Sequence, residues 1–147
     1  MEIALSLVAI VLSIASGIFS FYTFRWSVKH DRKQATLEAF NRLQNEVLDK
    51  LNLITKVEIT EISTNAKTEE YKTVSKYLAR IEHFCVGVNA KIYDIEIVKR
   101  LAGKYFIGLY DKCLPLIEKK REINKTAKHY DEFETTVTAL RIEYGRK

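Results

Sequence analysis

The chain has 147 residues, 47% of them hydrophobic and 29% charged, and a formal net charge of +5. That length holds one modest domain plus an anchor and excludes a pair of full enzymatic domains. The positive balance favours anionic neighbours, lipid headgroups or nucleic acid, without choosing between them.

The two kinds of residue are segregated along the chain. Glu2 is the only charged side chain before Arg25, and all 24 Lys and Arg follow Phe24. The uncharged run from Ile3 to Phe24 makes roughly 33 Å of helix at about 1.5 Å per residue, the thickness of a bilayer's hydrocarbon core. A cleavable signal peptide would need a basic n-region and a shorter apolar stretch. Here the n-region is Met1-Glu2, and the nearest thing to a cleavage site, Ala15-Ser16-Gly17, falls inside the apolar run. Residues 1–25 are therefore expected to form a transmembrane anchor and residues 26–147 a cytoplasmic helical domain. Arg25, Lys29, Arg32 and Lys33 crowd the C-terminal flank, which by the positive-inside rule places the N-terminus outside and the domain in the cytoplasm. Those four are candidate headgroup contacts, and Phe19, Phe21, Tyr22, Phe24 and Trp26 suit an interfacial aromatic belt.

Within the span Ser6, Ser13 and Ser20 recur every seven residues, with Ala9 and Ser16 offset by three and Gly17 beside them. Small residues let helix backbones approach closely in lipid. The seam points to a homo-oligomer with these residues at the helix interface or facing a wet lumen, although scattered small residues are common in membrane helices.

No glycine lies between Gly17 and Gly87, and Pro115 is the only proline. Leu37, Phe40, Leu43, Val47, Leu51 and Ile54 follow at helical spacing, so one long helix is expected from the anchor to about Lys56. Val57 to Ser63 alternates in a way that also suits a short strand. Asn65 to Thr68 reads as a loop, with Thr68 as the N-cap of a second helix. Its stripe is Tyr71, Val74, Leu78, Ile81 and Cys85, and it ends near Gly87-Val88-Asn89. Asp94 is placed to cap a third helix through Ile97, Leu101, Tyr105 and Leu109, which Pro115 is expected to kink or restart. A polar loop from Asn124 to His129 precedes a last helix carrying Tyr130, Phe133, Val137 and Leu140. The expected fold is all-α, a single N-terminal transmembrane helix continuing into a cytoplasmic helical bundle.

The sequence holds no P-loop, dinucleotide glycine pattern, nucleophile elbow or HExxH motif, so no cofactor is expected. Cys85 and Cys113 form no CxxC pair and read as small core residues rather than metal ligands. Arg80 and His83, one turn apart, read first as packing contacts across the bundle and only weakly as catalytic candidates. The tract Lys119-Lys120-Arg121, with Lys125, Lys128 and His129, suits phosphates of RNA or lipid. It suits equally the solvated end of a helix, where cations complement the dipole.

Two stretches, Asp31 to Gln44 and Tyr77 to Asp94, together resemble an uncharacterised bacterial family with one N-terminal membrane helix and a helical domain. The layout is also similar to the small membrane accessory protein of type VI-B CRISPR systems. That resemblance implies a HEPN-like cytoplasmic domain, a ring-shaped oligomer forming a pore in the bacterial inner membrane, and an RNA-guided nuclease as partner. HEPN ribonucleases carry Arg-x4-6-His, and this chain departs from it. Arg80 and His83 are too close, Arg121 and His129 too far apart, and Asn124 stands at the right spacing from His129 in place of an arginine. A neutral Asn cannot stabilise phosphorane charge as a guanidinium does. The leading expectation is thus a non-enzymatic, self-associating membrane protein of antiviral defence. The alternative is a membrane-tethered HEPN-like protein that binds or cleaves RNA through Asn124, His129 and the basic tract.

Overall fold

The computed structural model describes the backbone of residues 2–145 and the side chains of residue 10 and residues 12–145. Among the described residues there is no strand, and six α-helices follow one another along the chain. The all-α expectation holds.

Helix α1 (Glu2–Leu43) is the longest element. Every described side chain before Arg32 is exposed, and the helix docks on the bundle only through its C-terminal part. There Thr36, Phe40 and Leu43 are buried. Thr36 ties the helix down: its hydroxyl donates to the Arg32 carbonyl and accepts the Asp94 N–H, both at 2.7 Å. Leu37, expected in the apolar stripe, faces solvent instead. Thr36 takes that side of the helix because its hydroxyl finds a buried partner.

The helical path continues through a π-helical segment, Gln44–Leu48, into the short α2 (Asp49–Asn52). A π turn carries an extra residue, which lets the neighbours Val47 and Leu48 both face the core with Leu51. The path stops at Asn52 rather than near Lys56. Thr55, in extended backbone, opens α3 (Lys56–Thr64) with a reciprocal capping box to Glu58, a strong local start signal. Lys112 meanwhile donates to the carbonyls of Leu51 and Ile54 at 2.7 and 2.9 Å, satisfying the end of α2 from another helix. The segment that also suited a strand is therefore helical.

Helix α4 (Glu69–Asn89) starts at Thr68, whose hydroxyl accepts the Tyr71 N–H. Its expected stripe is buried throughout, joined by Phe84 and Val88. The helix closes in a Schellman pattern, with the N–H of Ile92 on the Gly87 carbonyl and that of Lys91 on Val88. Lys91 takes the left-handed position at φ 60 that glycine usually fills. Gly87 serves another need, since a Cβ there would lie 2.4 Å from the Tyr93 ring. That ring stacks on Phe84 with centroids 5.2 Å apart.

Helix α5 (Ile95–Asn124) is capped by Asp94, whose carboxylate accepts the Glu96 N–H at 3.0 Å. Pro115 neither ends nor restarts it; the bend lies at Ala102, with φ −151 and ψ 20. Cys113, Leu116 and Ile117 are buried on either side of the proline, and their packing outweighs one lost backbone bond. The buried face runs through Val98, Phe106, Leu109, Tyr110 and Cys113, while Ile97 is half-buried and Leu101 exposed. The bend at Ala102 rephases the stripe, which is why regular spacing misplaced those two positions.

Helix α6 (Asp131–Gly145) packs against α4 and α5. Its free N–H groups are met by α4: Glu82 accepts from Glu132 at 3.1 Å and from Phe133 at 2.7 Å. Asn89 adds bonds to the Glu132 carbonyl and carboxylate, and the Thr136 hydroxyl donates to it. Aromatic contacts link the Phe40, Phe84, Phe106 and Phe133 rings across α1, α4, α5 and α6. Both cysteines are buried free thiols. Burial pushes Cys85 up to about 12 and Cys113 up to about 11, so neither is a reactive thiolate.

Candidate functional site

The turn after α5 brings part of the basic tract, Lys120 with Lys128 and His129, to one cleft, and leaves Lys119, Arg121 and Lys125 outside its lining. A second Schellman pattern closes α5, with Thr126 N–H on the Arg121 carbonyl and Lys125 N–H on Glu122. Lys125 occupies its left-handed position at φ 49. Arg121 then reaches over the loop: its Nε donates to the His129 carbonyl at 2.9 Å and its Nη2 to the Glu134 carboxylate at 2.6 Å. That bond to Arg121 holds the Glu134 carboxyl below its usual range, against a smaller upward push from burial. At the far end of the loop Tyr130 has φ 62. A bulky residue in that region is an outlier that surrounding structure must hold. Here the Tyr130 ring is buried and its hydroxyl donates to the Ser75 carbonyl at 3.4 Å.

The loop and the outward face of α4 border a shallow, open cleft of about 600 Å³. Lys72, Lys76, Lys120, Lys128 and His129 line it, over a floor that includes Tyr71, Ser75 and Tyr130. Lys72 is paired with Glu69 at 2.6 Å, and the Lys120 ammonium sits 6.0 Å over the Tyr71 ring. Lys76, Lys120 and Lys128 form no ion pair among the described residues. Glu82 is the carboxylate in the wall. Burial raises its pKa, and its two bonds from the start of α6 pull the other way. Lys72 and Lys76 were not among the residues singled out from the sequence. Their four-residue spacing on α4, matching Tyr71 and Ser75, is the signal that marks them as one face.

The remaining candidates fall elsewhere. Arg80 pairs with Glu46 across the contact between α4 and the π-helical segment, and both Arg80 and His83 line a shallow cleft of about 420 Å³ with Arg42 and Tyr93. Asn124 donates to the Lys120 carbonyl at 3.1 Å, and Lys119 pairs with Glu122 at 2.8 Å. Arg121, expected to touch phosphate, has its guanidinium engaged by His129 and Glu134. Arg25, Lys29 and Lys33 are exposed, whereas Arg32 pairs with Asp94 at 3.5 Å.

Along α1, Ser13, Ser16, Gly17 and Ser20 are exposed, and a Cβ at Gly17 would meet nothing within 4 Å. Ser6 and Ala9 lie outside the described side chains. Ile10, Leu12, Ile14, Ile18, Phe19, Phe21, Tyr22, Phe24 and Trp26 all leave more than half their surface uncovered. Among the described residues no helix is long and apolar enough to cross a membrane; in the sequence the apolar run begins at Ile3, ahead of all the described side chains.

The family model of a domain of unknown function, DUF4760, matches residues 10–140, which takes in the described apolar part of α1 and the bundle up to Leu140 in α6. Comparison with curated proteins and with solved structures gives no match.

Proposed function

Because the chain belongs to the DUF4760 family, whose function is undefined, we propose a role from its own geometry: a single-pass, self-associating membrane protein that holds a helical bundle at the inner face of a bacterial membrane. The observation that carries this is the apolar part of α1. From Ile10 to Trp26 the described large hydrophobic side chains are exposed along α1, on every side but the one that carries Ser13, Ser16 and Ser20, and none of them belongs to the buried core. Left in water, each would forfeit about 1.5–3 kcal/mol of burial energy, and a patch of this extent marks a lipid or partner surface. The uncharged sequence from Ile3 supplies the rest of a span, and the basic flank at Arg25, Lys29 and Lys33 sets its direction.

Self-association rests on the open face at Ser13, Ser16, Gly17 and Ser20, where backbone can approach backbone. A pore, and an accessory role in CRISPR-type antiviral defence, rest on the resemblance to the type VI-B membrane protein. The RNA-cleaving alternative draws little support from the geometry. Arg121 is held by Glu134 and a backbone carbonyl, and Asn124 turns back onto its own helix.

Two measurements test the proposal. Alkaline carbonate washing of membranes should leave the protein in the pellet, and its release would overturn the anchor. The mass of the detergent-solubilised protein should be a discrete multiple of the monomer and should fall in the Ser13→Leu/Gly17→Leu variant. A monomer, or an assembly that the variant leaves intact, rules out the seam as the interface.

A further inference from the structure

The floor of the cleft between α4 and the 125–130 loop contains two polar groups that the bundle itself does not satisfy. Tyr71 is only 3% exposed, yet among the described residues neither its hydroxyl nor that of Ser75 finds a hydrogen-bond partner. The two are neighbours, close enough for Ser75 to lower the phenol's pKa against the upward push of burial, but without bonding geometry. Buried hydroxyls are costly to leave unpaired, and natural bundles rarely keep two side by side without a partner to meet them. Around them stand three ammonium groups without ion pairs among the described residues, Lys76, Lys120 and Lys128, with His129 beside them. Hydroxyl donors below and cations above are the complement of a compact anion with several acceptor oxygens.

We infer that this cleft binds a terminal phosphate group, of a phosphate ester or polyphosphate, with Tyr71 and Ser75 donating from the floor and Lys76, Lys120 and Lys128 neutralising charge at the mouth. A terminal phosphate offers three free oxygens and enters end-on. A phosphodiester strand is flanked by chain on both sides and does not reach a recessed floor. Glu82 does not oppose the anion strongly, because both of its oxygens face the N–H groups of Glu132 and Phe133 at the positive start of α6. Lys120 lies across the Tyr71 ring, and a long side chain of this kind turns toward an entering phosphate without any change of backbone. The strained Tyr130 fits a binding loop, where such conformations cluster.

The test uses the full-length protein in phosphatidylcholine nanodiscs, titrated with inorganic pyrophosphate at low salt by calorimetry. Saturable binding is expected. Tyr71→Phe should weaken it about ten- to a hundredfold, the loss of a hydrogen bond to a charged group, while leaving the melting temperature unchanged or higher, since the hydroxyl has no partner to lose. Lys120→Ala/Lys128→Ala should weaken it further. A second arm replaces part of the lipid with phosphatidic acid. Tyr71-dependent suppression of pyrophosphate binding there assigns the phosphate to a lipid headgroup, and undiminished binding assigns it to a soluble ligand. No binding at millimolar pyrophosphate, or binding that Tyr71→Phe leaves unaltered, overturns the inference. So does single-stranded RNA binding more tightly than pyrophosphate without dependence on Tyr71.

Discussion

Glu82 shows how much one side chain does in this bundle. It stands on α4, yet its carboxylate takes the first free N–H groups of α6, a task usually done by a residue adjacent in sequence. Glu82→Ala should therefore cost about 2 kcal/mol of stability, read from urea denaturation, with the loss centred on the α4–α6 contact. Glu134 makes a complementary prediction through pH. Its folded pKa is lowered, first by the hydrogen bond from Arg121, so its contribution is fully present above the unfolded value near 4.5 and is lost as pH falls through the folded value. Denaturation midpoints measured from pH 7 down to about pH 3 should fall on the acid side, and that part of the fall should vanish in Glu134→Gln. Neither role was legible in the sequence. Glu82 lies some 50 positions from its partners, and nothing local to it marks a cap for a distant helix. The basic tract was legible as charge, but Arg121's removal from it was not, because that depends on Glu134 arriving from the next helix.

At the level of the helix, legibility followed locality. The start of α4 at Thr68, the start of α5 at Asp94 and the buried stripe of α4 were readable, since caps and periodicity act over four residues or fewer. The capping box Thr55-x-x-Glu58 was equally local and decides the helical state of α3; alternation of apolar residues pointed elsewhere because the segment is too short for its period to tell. Pro115 and Ala102 mark the other limit. Intrinsic preference puts the break at the proline, and packing on both sides moves it to an alanine. Two glycines separate the same causes. Gly108 is exposed on α5 with nothing within 4 Å of an added Cβ, so Gly108→Ala should stabilise by about 1 kcal/mol, the ordinary helix propensity. Gly87 is pressed by the Tyr93 ring, and Gly87→Ala should destabilise by about 1–3 kcal/mol as that ring is displaced. Thermal melts of the two variants, moving in opposite directions, check the pair.

On the scale of the whole molecule the chain divides by what covers it. Everything described before Arg32 is uncovered, and the first buried side chain of the bundle is Thr36. A chain beginning at Asp31 should keep the helical signal of the bundle and a single cooperative melt, because it discards no core residue. Circular dichroism that shows a broad, non-cooperative transition would mean that the bundle leans on the apolar part of α1 after all. The segregation itself was plain in the sequence from the first charge onward. The cleft was not, since Lys72 and Lys76 come from one helix, Lys120 from another and Lys128 from a loop, and only their folding together makes them neighbours.

Helix α1 also passes from its uncovered part into the bundle without a joint, clamped at Thr36 and Arg32 to Asp94. A shaft of that kind transmits angle as well as position. Each residue of helix turns the chain beyond it by about 100° and lifts it by about 1.5 Å, so one residue added between Arg25 and Asp31 would swing the bundle roughly a quarter-turn about the axis. Seven added residues, close to two full turns, would raise it and return it nearly to its first bearing. Whatever side of the bundle faces a neighbouring copy, or faces the surface beneath it, is in this sense set by a count of residues, as a crank is set by the keyway cut in its shaft.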